Sequence, residues 1–196
     1  MGAMDLVDLS AYAGLAAVAL ATLNLLIGLS MAVRYSPVKY WPHRHFNLFY
    51  AHRITAYATI TLTLIHPIIL LFVRRVRFRL LDIVLPIRSP LQPVQNTLGA
   101  IALYVLIIVV VTSLYRLRIG RKWWKRTHLL VYPAAVLLFI HGVFTDSELK
   151  TGRADLLDGE KVFVEICFLL ILVASLASIR IRRRRIISAA VQPISS

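Results

Sequence analysis

The sequence predicts an all-α, polytopic membrane helix bundle of about five transmembrane helices, and two observations carry that prediction. Of the 196 residues 59% are hydrophobic and the mean hydropathy is +0.74, more apolar than a water-soluble domain with a largely polar surface. The apolar residues also gather into five windows with almost no charge, each long enough, or nearly so, to cross about 30 Å of hydrocarbon as a helix. The expected helices cover about 9–33, 46–73, 96–115, 127–145 and 162–180.

Each element follows from its own residues. The first apolar run spans 25 residues, and its upstream flank carries Asp5 and Asp8 rather than bases, so no cleaved signal peptide is expected. After the second span, Leu80 to Ile87 is broken by Asp82 and Pro86 and followed by Pro90 and Pro93. That run is too short to cross, which predicts an interfacial segment over about 78–92. The fifth span holds one acid, Glu165, four residues after Lys161, and the expectation is that it snorkels to the interface. The stretches 34–45 and 116–126 read as short basic loops, 145–161 as a polar acidic loop and 186–196 as a tail. No soluble segment is long enough for a second core, so residues 1–196 are expected to form a single transmembrane domain.

The net charge of +14 would suggest nucleic acid for a soluble chain, but here it reads as a topology signal, with membrane lipid and not nucleic acid as the partner. With the N-terminus outside, fifteen of the 23 lysines and arginines fall inside: Arg34, Lys39, Arg44, Arg53, six over 116–126 and five over 180–185. The positive-inside rule then favours N-out/C-in in the cell (inner) membrane, with the outer cluster Arg74, Arg75, Arg77 and Arg79 opposing it locally. The single cysteine, Cys167, excludes an intrachain disulfide and a cysteine-held cluster, and reads as a small core residue.

Four of the six histidines fall in or at the ends of two spans: His52 and His66 on the second, His128 and His141 on the fourth. An imidazole in lipid is costly without a partner and marks a functional position. The members of each pair lie 14 and 13 residues apart, or roughly 20 Å along a helix. One span separates the two helices, so they run in the same direction, and His52 is level with His128 as His66 is with His141. Neutral imidazole is a common axial ligand of haem iron. Two facing pairs therefore predict two bis-histidine b-type haems stacked along the membrane normal, an arrangement suited to electron transfer.

The two helices differ in phase. Fourteen residues return to within about 40° of the starting face, whereas thirteen leave the second histidine about 140° away. Either Pro133 distorts the fourth span, or the haems approach it from different sides. Arg53 beside His52 and Arg126 near His128 are candidate contacts for the haem propionates, and Arg74 and Arg75 lie beyond His66. Basic residues also flank membrane helices for topological reasons alone. Thr55, Thr59, Thr61 and Thr63 offer acceptors for imidazole N–H groups, although threonine commonly bonds its own helix. His43 and His45, in a loop, are set aside as solvated. Trp41, Trp123 and Trp124 fit an aromatic belt.

The run His52-Arg-Ile-Thr-Ala-Tyr followed by His66-Pro67, and the run Trp124-Lys-Arg-Thr-His128-Leu-Leu-Val-Tyr132 followed by His141-Gly142, resemble the ferric-reductase-like transmembrane domain. That family includes ferric reductases and NADPH oxidases. The resemblance covers about residues 30–180 and implies an inner haem on His52 and His128 and an outer haem on His66 and His141. Its larger members have six helices and a cytosolic flavin and nicotinamide domain. This sequence shows five windows and no Gly-rich nucleotide loop, so FAD and NAD(P)H are expected only through a partner or a missing domain. The implied function is transmembrane electron transfer from an inner donor, such as a cytosolic flavoprotein, to an outer acceptor: ferric chelate, dioxygen or quinone. A second reading is a non-catalytic cytochrome b subunit that anchors and wires a partner oxidoreductase. A third is a histidine-lined metal or proton transporter without haem.

Overall fold

The computed structural model describes residues 5–34, 47–74, 76–145 and 158–191, with side chains to residue 188. The expectations for Lys39, Trp41, His43, Arg44, His45 and Arg75, and for the acidic loop over 146–157, lie outside the described residues. Among the described residues every regular element is helical. Five helical stretches are long and apolar enough to cross a membrane: Leu6–Ala32, Leu48–Leu70, Pro93–Leu114, Arg121–Phe144 and Gly159–Ser188. Large apolar side chains such as Leu23, Ile108, Leu169 and Val173 stay exposed on their outer faces. Lipid tails are as apolar as leucine, so those faces have no need of a protein partner.

Helix α1 (Leu6–Ala32) starts where the backbone N–H of Asp5 donates to the Asp8 carboxylate at 3.2 Å. Helix α2 (Leu48–Leu70) starts where the Asn47 side chain accepts the Tyr50 N–H at 3.1 Å. A short helix α3 (Leu80–Val84) and a 3-10 turn (Pro86–Arg88) lead into α4 (Pro93–Leu114), which has proline at its first position, where no N–H is needed. Between α3 and α4 the chain lies against the start of α4. Tyr104 donates to the Val84 carbonyl, and Asn96 Nδ2 to the Leu91 carbonyl at 2.9 Å.

The basic stretch over 116–126, expected as a loop, is instead helical: α5 (Arg116–Ile119), a turn at Gly120 with φ +80°, and α6 (Arg121–His128). Arginine and lysine are good helix formers whose stems lie along apolar surface. A charge-free window therefore marks the hydrocarbon, while the helix itself begins earlier. Helix α8 (Gly159–Val191) likewise carries Arg180 to Arg185 inside it, well beyond the apolar window. Arg185 Nη1 donates to the Val33 carbonyl at 2.7 Å, which ties α8 to an unsatisfied C-terminal carbonyl of α1.

Helix α7 (Val131–Phe144) completes the fourth span after a break at Leu129 and Leu130. There Leu130 N–H bonds Thr127 O at 3.0 Å and Tyr132 N–H bonds Leu129 O at 3.2 Å, three residues back rather than four. Pro133 has no N–H, and in an unbroken helix its ring would strike the Leu129 carbonyl. Near the start of a new helix that N–H is not required, and the four-back pattern resumes with Ala134 N–H on Leu130 O at 3.1 Å. The main helix contacts are α1 with α2, α4 with α7, and α8 with both α1 and α7.

Candidate functional site: two facing histidine pairs

All four membrane histidines come together in the two pairs expected. The ring centres of His52 and His128 are 6.1 Å apart with planes inclined 67°, and those of His66 and His141 are 6.2 Å apart at 75°. Of the two ways to reconcile the phases of α2 and the fourth span, distortion at Pro133 is observed. The tight three-back bonds overwind the chain between His128 and His141.

The Nδ1 atoms of three rings face backbone carbonyls on a neighbouring helix. His52 Nδ1 lies 3.2 Å from Asn24 O, His66 Nδ1 2.7 Å from Ser10 O, and His141 Nδ1 2.8 Å from Gln95 O. A carbonyl only accepts, so Nδ1 carries the proton and donates, leaving Nε2 with a free lone pair. The fourth, His128 Nδ1, meets the Ser113 hydroxyl at 3.2 Å. That hydroxyl donates to Val109 O at 2.7 Å and also accepts the Trp124 Nε1–H at 3.3 Å. Trp124 itself lies against the His128 ring, with centres 5.3 Å apart.

A simple rule selects those acceptors. Each of the three carbonyls stands four residues before a glycine: Ser10 before Gly14, Asn24 before Gly28, Gln95 before Gly99. A helical side chain leans over the turn N-terminal to it, so a missing side chain uncovers the carbonyl four residues back. The rings fill the space left. A Cβ at Gly99 would stand 2.9 Å from His141 Cε1, one at Gly14 3.1 Å from His66 Nδ1, and one at Gly28 3.3 Å from His52 Cε1. Ser113 holds the fourth position and supplies its own oxygen. The small residues are 14 apart on α1 (Gly14, Gly28) and again on α4 (Gly99, Ser113), so α1–α2 and α4–α6/α7 form two similar antiparallel units.

On α1 the clasp is reciprocal. Asn24 Nδ2 donates to His52 O at 2.6 Å, and Ser10 Oγ to His66 O at 2.8 Å. Each α2 histidine thus gives a proton to, and takes one from, a single residue of α1. The α2 threonines play a smaller part than expected. Thr55, Thr59 and Thr63 donate to carbonyls of their own helix at 2.9, 2.8 and 2.8 Å, and none of the three bonds an imidazole. Arg53 and Arg126 are exposed, and their guanidinium groups lie over their neighbours Tyr50 and Trp123, at 5.7 and 5.3 Å from the ring centres. No direct contact joins either arginine to a histidine pair among the described residues. Cys167 is buried, and Glu165 is partly buried.

The His66–His141 pair opens into a cavity of about 150 Å³, also lined by Gly14, Asn96, Gly99 and Thr145. The structure places Ser10, Asn24, Gln95, Ser113, Thr145 and the three glycines at the site, none of which the histidine spacing alone pointed to. The repeated interval of 14 was the available signal. No group of three or more His, Cys, Asp or Glu side chains suited to a metal ion occurs among the described residues. The protein donors come in twos.

No curated protein and no solved structure matches the chain significantly. Residues 13–139, 127 of the 196, match the family described as "Ferric reductase like transmembrane component", a stretch that takes in His52, His66 and His128 and stops two residues short of His141. By that match and its five membrane-spanning helices, the chain is a multi-pass membrane protein and belongs to the ferric-reductase-like transmembrane family.

Proposed function

We propose that the chain carries electrons across the membrane through two b-type haems, one held by His52 and His128 and the other by His66 and His141. The ring spacing is the observation that carries this reading. Two imidazoles that held one metal ion between them, each with a metal–nitrogen bond of about 2.0 Å and about 1.1 Å from that nitrogen to its ring centre, would have centres about 6.2 Å apart. The pairs stand at 6.1 and 6.2 Å. A porphyrin would need only two further donors from the protein, which suits donors that come in twos.

Haem supplies one-electron exchange between ferric and ferrous iron. The residues do the rest. The Nδ1–H bonds fix each imidazole in the tautomer that offers Nε2 and raise its basicity. The glycines admit the rings and let α1 and α4 exclude water beside them. Exposed Arg53 and Arg126 stand at the His52–His128 end, where they are suited to meet propionates. The excess of bases at that end supports placing it inside, with a cytosolic flavoprotein, itself the user of FAD and NAD(P)H, as donor. Electrons would then leave on the His66–His141 side for ferric chelate, dioxygen or a quinone.

Purified chain is expected to hold two protohaems, measured as pyridine haemochrome, and to show the low-spin ferric spectrum of two nitrogen ligands. Ligand planes inclined by 67° and 75° predict a strongly anisotropic low-spin EPR signal for both centres. Dithionite should reduce both, and an added ferric chelate should reoxidise them. Haem-supplemented protein with no Soret band would remove this function.

A further inference from the structure

Lys161 is 7% exposed, in the first turn of α8. It lines the cavity into which His66 and His141 open. Nothing among the described residues ion-pairs or hydrogen-bonds with its ammonium. Two carboxylates share the cavity, Asp82 and Glu160. Asp82 already accepts the Arg79 N–H at 2.8 Å, and neither is in ion-pair contact with Lys161. The stem of Lys161 is packed away, but its ammonium is not one of the fully buried atoms left without a partner, so its charge stands at the cavity with no anion beside it among the described residues, a place that favours one.

The position of Lys161 is fixed by packing. Val164 and Phe168 follow it at helical intervals on the α8 face toward α7. Val164 presses so closely on Gly142 that a Cβ there would stand 3.1 Å from its Cγ1, and Phe168 stacks on Phe139 with ring centres 4.2 Å apart. Gly142 is the residue after His141, so this contact holds Lys161 near the turn that carries the ligand.

We propose that Lys161 anchors a propionate carboxylate of the haem held by His66 and His141. The inference rests on the haem reading above and assigns a residue to that site. A side chain held in place by packing along its stem suits a resident anion rather than an exchanging one, and a porphyrin would bring two carboxylates into the cavity that the histidines share with Lys161. A charge-assisted bond of this kind, formed away from water, is among the strong ones.

The test uses the full chain loaded with protohaem or with its dimethyl ester, which has no carboxylate, and follows haem loss to excess apomyoglobin. With protohaem, Lys161→Met should speed loss of one of the two haems about tenfold, as losing one charge-assisted bond predicts. It should also lower that haem's midpoint potential, because an unneutralised carboxylate favours ferric iron, while Lys161→Arg should stay close to wild type. With the diester, wild type and Lys161→Met should lose haem at the same rates. Unchanged rates with protohaem would overturn the assignment, as would an equal effect of Lys161→Met on both porphyrins. Wild-type protein that holds no haem at all would instead defeat the function proposed above.

Discussion

A missing methyl group can matter as much as a ligand when a ring must fit against a helix backbone. Gly99, Gly14 and Gly28 leave 2.9, 3.1 and 3.3 Å to the nearest histidine atom from a Cβ in their place, which sets a graded series. Gly99→Ala should displace His141 and remove one haem per chain. Gly14→Ala should do so in part, and Gly28→Ala should leave both haems with a weakened His52 bond; haemochrome stoichiometry reads all three. The four histidines were legible in the sequence because imidazole in lipid is conspicuous and their intervals give matching depths. The acceptors were not, since Asn24 O, Ser10 O and Gln95 O are backbone atoms that any residue supplies. Their glycines were legible only as an interval of 14 repeated on another helix.

At the level of elements, the fourth span shows how a phase mismatch is resolved. An ideal helix turns His141 away from His128 by about 140°, and the interruption at Leu129 and Leu130 brings both to partners on α2. Pro133→Ala restores the missing N–H and removes a residue that costs up to about 3 kcal/mol in a helix interior. The variant should become more continuously helical and yet lose the haem at His141, leaving about one per chain by haemochrome assay. Sequence marked Pro133 as a source of distortion, but not where the bonding pattern changes, because Leu129 and Leu130 are ordinary helix formers. Helix ends were misjudged for a related reason. The arginines and lysines of α6 and α8 interrupt an apolar window without interrupting a helix.

Over the whole molecule, two antiparallel units, α1 with α2 and α4 with α6 and α7, face each other so that α2 pairs a histidine with one of α6 at one depth and one of α7 at the other, while α1 and α4 support them. The bundle was legible from composition alone, and the twofold likeness of its halves was not, because it resides in eight positions scattered among interchangeable apolar residues. The bases at the His52–His128 end predict that this end is cytosolic. In a Cys167→Ala background, Ser188→Cys should react with an impermeant maleimide only in inverted vesicles and Ser147→Cys only in intact cells. The most direct test of the two-centre account is haem per chain, together with both midpoint potentials, in four single variants: His52→Ala, His128→Ala, His66→Ala and His141→Ala. One haem should remain in each, with the first two variants sharing one surviving potential and the last two sharing the other. Stoichiometry equal to wild type in all four, or loss of both haems in properly inserted protein of every variant, would contradict it.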